Sequence, residues 1–481
     1  MQQLQTGPDP AQFARLNELL IRWRDHEAIR DIRVLTRSGE VLTSDGTAPQ
    51  PDPALAGPAW LQIGNEGGLL PQPAVIQNVP VGYEYFRRTI VVLNVKEHAL
   101  LLGPAERADV VVDFSPYAGQ TLILFNDSPA PIPGFDLRND HYTGCPSQED
   151  TGGSPGTEAG WGPNTRTILQ VRVRGNKLGN PSPAPMTPGD LPVNWINPAT
   201  LSRMQTNLPA AFAATQDQPV VPQPQYDPVG YAYNGVAGAG APLKVAHIND
   251  TSVTYIPYGS TNQVTVPFVY KAIHEVFDPI GRMNAVLGTE LPFTSAYIQT
   301  TLPLAYVDPA TEVIAPGETQ FWWITHNGVD THAIHFHLVN VQVINRVGWD
   351  GAVSQPPLDD NEYGWKDTVR MNPLENILVA VRAKTPQVPF GVPESIHALD
   401  TTQPLGSTKN FSGIDPYTGN ALVVTNQLVN VKWEFMWHCH LLGHEENDMM
   451  RPFSFTYDSI PPTAPADLVA DNYNGVVRLT W

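Results

Sequence analysis

Two short segments concentrate this chain's capacity for metal chemistry: His332-Ala-Ile-His335-Phe-His337, and His438-Cys439-His440-Leu-Leu-Gly-His444-Glu445 running on to Met449. Together they hold six of the 13 histidines and one of the two cysteines. No other His-X-His pair occurs in the chain. A thiolate, two imidazoles and a weak thioether form the ligand set of a blue-copper electron-transfer site. Cys439, His444 and Met449 lie in one short stretch, so the chain must loop around the metal, and His332 is the natural candidate for the second in-plane imidazole. Ordinary core histidines would account poorly for this density of ligands.

Both segments read as strands, and successive side chains on a strand point to opposite faces. Cys439 therefore faces one way, and His438 and His440 the other. A second metal site is implied on the far face of the same strand. His335 and His337 share a face by the same alternation and suit that second site. One site would take electrons in and the other would use them, joined by a single covalent strand.

At this point the residues carry a resemblance. The chain resembles the C-terminal part of bacterial multicopper oxidases, nearest the spore-coat laccase and bilirubin oxidase branch. The resemblance rests on Trp437-His438-Cys439-His440, on His444 through Pro452, and on Gly364-Trp365-Lys366-Asp367-Thr368. It extends to Leu102-Gly-Pro-Ala-Glu-Arg107 with Asp109, and to Ile63-Gly-Asn-Glu-Gly-Gly-Leu-Leu-Pro71. It covers roughly residues 59–175 and 270–458. It implies type 1 copper on His332, Cys439 and His444 with Met449 axial, His335 on type 2 copper, and His337, His438 and His440 on type 3 copper. It further implies that Glu445 relays protons during dioxygen reduction. Ala333 stands where the branch usually has Pro.

The trinuclear cluster of the resembled family uses four His-X-His pairs, and this chain supplies two. His26, His98, His141, His247, His274, His326 and His397 are not spaced to form the others. A symmetric homo-oligomer repeats the deficit in every copy. The missing half is expected from an N-terminal cupredoxin domain, in a longer parent or another chain. Residues 461–481 resemble the opening strands of a fibronectin type III module, which also favours a fragment of a larger oxidase.

The remaining sequence bounds the architecture. A chain of 481 residues leads us to expect two to four domains. With 48 prolines, 38 glycines and many short strand-like runs, it reads as loop-rich and all-β. By resemblance its domains are cupredoxin-like Greek-key β-sandwiches. A net charge of −19 with no basic patch argues against nucleic-acid binding. No apolar run is long enough for a membrane span. No signal peptide is recognisable, and a periplasmic or extracellular location is the family expectation.

Residues 1–58 are expected to form a helix (9–30, with Phe13, Leu16, Leu20 and Trp23 on one face), a hairpin (31–43) and a linker. Residues 59–175 are expected to be a cupredoxin-like domain without copper ligands, with strands at Thr89–Val95, Ala99–Leu102, Asp109–Phe114, Thr121–Phe125 and Thr167–Val173, and a long loop holding Cys145. Residues 176–267 read as a Pro-rich connector, 268–458 as the copper-bearing sandwich, and 459–481 as the truncated module. The long segment 384–420 could shape the approach to His332.

The function expected is laccase-like: one-electron oxidation of phenolic, aromatic or metal-ion donors coupled to reduction of dioxygen to water. This chain alone would be catalytically incomplete. The other reading is a type 1 copper electron-transfer protein that does not reduce oxygen. A metal-free scaffold is the third.

Overall fold

The computed structural model describes residues 57–83, 95–126, 167–174, 196–223, 250–277, 283–295, 298–349, 358–386, 392–457, 469–473 and 476–480, with four shorter pieces at 128, 147, 232–233 and 236–237. The expected helix 9–30, the hairpin 31–43, Cys145, and most of the strand at Thr89–Val95 lie outside the described residues.

The first unit is built on β1 (Trp60–Asn65), β2 (Gly68–Ile76) and β3 (Ala108–Val111), in the order β2-β1-β3. β4 (Thr121–Phe125) and β5 (Thr167–Arg172) pair separately. Ala99–Leu102 is not a strand. It runs as irregular chain into a turn closed by Glu106, whose N–H donates to Gly103 O at 3.0 Å and whose carboxylate accepts the Gly103 N–H at 2.6 Å.

Residues 176–267 contain more order than their composition suggests. Helix α1 (Pro198–Thr215) starts at Asn197, whose side chain accepts from the N–H groups of Ala199 and Thr200, with Pro198 at the first position. There its missing N–H costs nothing. Pro209 interrupts the interior and only Leu208 and Phe212 are buried, so the amphipathic signal is faint. Leu208 packs on Leu70 and Ala74 of β2.

The second unit is a two-sheet sandwich. Its strands are β6 (Ser252–Tyr255), β7 (Val264–Phe277), β8 (Met283–Ser295), β9 (Ile298–Pro303), β10 (Glu312–Ile314), β11 (Thr319–His326), β12 (His332–Phe336), β13 (Val341–Gly348), β14 (Thr368–Met371), β15 (Glu375–Arg382), β16 (Ser395–Ala398), β17 (Leu428–Cys439) and, after the short α2 (Leu442–Glu445), β18 (Met450–Phe455). One sheet runs β9-β8-β7-β11-β15-β13 with β6 on β7, and the other β10-β18-β17-β12-β14 with β16 on β17. Ile273, Leu287, Trp322, Ile324, Val343 and Val379 from the first meet Ile334, Phe336, Val369, Trp437, Phe453 and Phe455 from the second. Cys439 and Met449 belong to that same apolar interior. Phe321 and Trp323 face the other way, into a second core with Val220, Val221 and Tyr255. β11 is thus buried on both faces, which is why it reads as the continuous apolar run Phe-Trp-Trp-Ile. The chain is an all-β protein of cupredoxin-like sandwich form, and no helix of the described residues is long and apolar enough to cross a membrane.

The three motifs outside the histidine segments meet where the two units join. Lys366 Nζ lies 2.8 Å from Glu66 Oε1 and 3.0 Å from Glu106 Oε1. Arg370 Nε lies 3.3 Å from Glu106 Oε2, and Arg107 donates to Asp367 Oδ2 at 2.9 Å. Val469–Tyr473 pairs with Val476–Thr480 beyond the sandwich.

Candidate metal centre

β12 and β17 are antiparallel neighbours, with Ile334 opposite Cys439, His335 opposite His438 and Phe336 opposite Trp437. This register divides the site. Cys439 points with Ile334 and Phe336 into the apolar interior. His335 and His438 point together to the other face, and His337 joins them. The backbone fixes the arrangement: Cys439 N–H donates to Met449 O at 3.0 Å, His440 N–H to Ala333 O at 2.7 Å, and His337 N–H to Met436 O at 2.9 Å. After Cys439 the single turn of α2 brings His444 back over the thiol. Asp448, at φ 67°, then turns the chain into β18.

In the first cluster the Nδ1 atoms of His332 and His444 are 3.1 Å apart, and Cys439 Sγ is 3.6 and 3.7 Å from them. A triangle with those sides has a centre roughly 2.0 Å from each corner, close to transition-metal bond lengths to imidazole nitrogen and slightly under those to thiolate sulfur. Cys439, His332 and Met449 are fully buried. Burial pushes the Cys439 thiol up to about 11, so a cation must displace its proton to bind there. Burial lowers His332 to about 4 and lowers His444 as well, leaving both imidazoles neutral at pH 7. Two neutral imidazoles around an apolar-walled thiol fit a soft transition-metal ion, copper included.

The second cluster gathers His335, His337 and His438. The Nε2 atoms of His337 and His438 are 3.1 Å apart. His335 Nδ1 lies 3.0 Å from Asp367 O and 3.0 Å from Thr368 Oγ1, while His438 Nδ1 lies 3.1 Å from Cys439 O. Protons held at those Nδ1 atoms leave the Nε2 lone pairs free for a metal. The His440 ring is 5.7 Å from that of His335 and 5.5 Å from that of His438, at the margin of the cluster. Burial lowers both His337 and His438. Glu445 Oε2 is 3.6 Å from His438 Nδ1 and its side chain is 31% exposed, so it links this cluster to solvent. All eight residues expected as metal ligands thus lie at or beside these two clusters.

Three residues escaped the sequence reading as parts of the site. Glu275 on β7 accepts from Nε2 of His332 at 2.9 Å and of His326 at 3.0 Å. Burial pushes the Glu275 carboxyl up, but hydrogen bonds from His326, His332 and the Val329 N–H outweigh it and hold the group well below the usual carboxylate range. Asp367 likewise pairs with His335, Thr368 and Arg107; these outweigh burial and bring it down to about 2. The available signal was a lone acid in the apolar run Ala-Ile-His-Glu-Val-Phe. Nothing in the sequence shows that β7 lies parallel to β11, with Ile273 beside His326.

The chain is similar to several known proteins. Residues 291–390 match the multicopper oxidase family model. The chain is 35% identical over 137 residues to a laccase of Haloferax volcanii, covering 28% of this chain and 15% of that protein. It is 23% identical over 411 residues to a laccase of Bacillus subtilis, covering 82% of this chain and 46% of that protein. The chain therefore spans about half the length or less of these relatives. A solved multicopper oxidase of Pediococcus acidilactici is 16% identical with a TM-score of 0.34, over 85% of this chain and 46% of that one. Copper is the cofactor of the matched family, and the two histidine clusters have the donors to hold it. Residues 291–390 thus carry a multicopper oxidase domain, and the chain is similar to laccases over the shares given.

Proposed function

We propose that this chain is the electron-entry part of a laccase-like multicopper oxidase. His332, Cys439 and His444 would hold a type 1 copper, with buried Met449 beside them. His335, His337, His438 and His440 would supply half of a trinuclear cluster. The observation that carries this reading is the covalent strand His438-Cys439-His440, whose middle residue lies in one donor cluster while its neighbours face the other. Copper, when bound, would supply one-electron oxidation of a donor at the thiolate site and reduction of dioxygen to water at the histidine cluster.

The chain's own residues supply the setting. The apolar interior around Cys439 excludes water from the thiolate. Asp367 and Thr368 orient His335 through its Nδ1. Glu445, near the His438 Nδ1 and partly exposed, is suited to pass protons inward. The donors that fit outer-sphere transfer are phenols, aromatic amines, bilirubin-like pigments, Mn(II) or Fe(II). The remaining histidines would come from an N-terminal cupredoxin domain, and the location would be periplasmic or extracellular.

A second reading, a type 1 electron carrier without oxygen reduction, is favoured by the half-set of cluster histidines. Copper content with visible and EPR spectra, measured beside oxygen uptake with a phenol, separates the two. About four coppers with turnover in the completed protein supports the oxidase. One blue copper without uptake, even with the expected domain present, supports the carrier. No blue copper refutes both.

A further inference from the structure

Glu275 is the most heavily used carboxylate near the centre, and its side chain is only 2% exposed. Oε1 accepts from His332 Nε2 at 2.9 Å, from His326 Nε2 at 3.0 Å and from the Asp330 N–H at 3.1 Å. Oε2 accepts the Val329 N–H at 2.8 Å. The other nitrogen of His326 faces Asn372 O at 2.8 Å. His326 thus has an acceptor on each side of its ring. A carboxylate buried without partners would be costly, and four donors offset that cost.

The segment after β11 is shaped around this group. Asn327 Oδ1 accepts the Glu275 N–H at 3.3 Å, and a Cβ added to Gly328 would lie 1.9 Å from the Glu275 carboxyl carbon. Glycine is therefore required where the loop crosses the carboxylate. The same loop leads directly into His332, so one acid fixes both the loop and the ring at its end.

We infer that Glu275 is a positioning residue: by accepting the His332 Nε2 proton it fixes the tautomer whose Nδ1 lone pair points toward Cys439 and His444. The inference rests on the reading of His332, Cys439 and His444 as copper ligands. Without Glu275 either ring nitrogen could carry the proton. With it, the Nδ1–H form places a lone pair against a carboxylate oxygen and is disfavoured. A histidine ligand whose distal N–H is held by a carboxylate is also a more basic donor.

Long-range proton–nitrogen NMR of the copper-free full chain at neutral pH tests this directly, with the His332 signals assigned by their loss in His332→Asn. The expected result is Nε2–H with an unprotonated Nδ1; a proton on Nδ1 overturns the inference. Gly328→Ala pushes the carboxylate aside without altering Glu275, and Glu275→Leu removes it. Both are expected to mix the His332 tautomers and to weaken Cu(II) binding by roughly 10–100-fold, with a shifted visible band. A folded Gly328→Ala chain with wild-type tautomer, affinity and band would overturn the inference. If the wild-type chain took up no blue copper, the metal reading would fall, while the tautomer in the copper-free chain would still decide the role of Glu275.

Discussion

Lys366→Met should unfold the junction between the two units more than any surface change of the same size. Lys366 Nζ bridges Glu66 and Glu106 at 2.8 and 3.0 Å, with side-chain exposures of 5%, 0% and 3%. Methionine keeps the apolar stem and deletes the charge. Glu106 retains Arg370 at 3.3 Å, but the Glu66 carboxylate loses its only cationic side-chain partner among the described residues. Removing one partner of a buried ion pair costs roughly 3–5 kcal/mol, because the other charge stays buried and uncompensated. An exposed pair would contribute at most about 1 kcal/mol. Urea denaturation followed by tryptophan fluorescence measures the difference, read from the midpoint at unchanged slope. Adding Glu66→Gln to Lys366→Met should recover a large part of the loss, since the stranded charge is then gone. A loss below about 1 kcal/mol for Lys366→Met, or no recovery in the double variant, would refute the argument that this junction rests on a desolvated ion cluster.

Three further outcomes are expected. Burial lifts Glu290 from 4.5 to about 7, against the opposing hydrogen bond from Thr325, so the fold holds a proton that the unfolded chain releases. Stability should therefore fall as pH rises from about 4.5 to 7, by up to about 1.4 kcal/mol per unit; Glu290→Gln should flatten that slope in urea titrations, and an unchanged slope counts against it. Cys439→Ser should abolish the intense blue absorbance and any oxidase turnover, and retained colour would remove Cys439 from the copper site. In the completed oxidase, Glu445→Gln should slow oxygen reduction by roughly a hundredfold or more while donor oxidation proceeds at the wild-type rate, as expected of a proton-transfer group; equal slowing of both half-reactions in stopped-flow would argue against a relay.

Strand alternation alone makes the division of the donors legible. Cys439 lies between two histidines, so a strand must send it to one face and them to the other, and the pairing of Ile334 with Cys439 and His335 with His438 follows that rule. The strands of the second unit are equally readable in type, because Phe321-Trp322-Trp323-Ile324 is a continuous apolar run and Val429 through Phe435 alternate apolar with polar residues, although β17 runs on to Cys439. Helix α1 was hidden by Pro198, Pro209 and a buried face of two residues, and Ala99–Leu102 was misread because apolar residues before a Gly-Pro turn imitate a strand. Tertiary structure alone decided what supports the ligands. Glu275 and His326 are 51 positions apart and meet through parallel pairing. Glu66, Glu106 and Lys366, distant in sequence, become one buried ion cluster only when the units join. Short-range periodicity records which way a side chain points, but the partner it meets there is set by the packing of strands far apart in the chain.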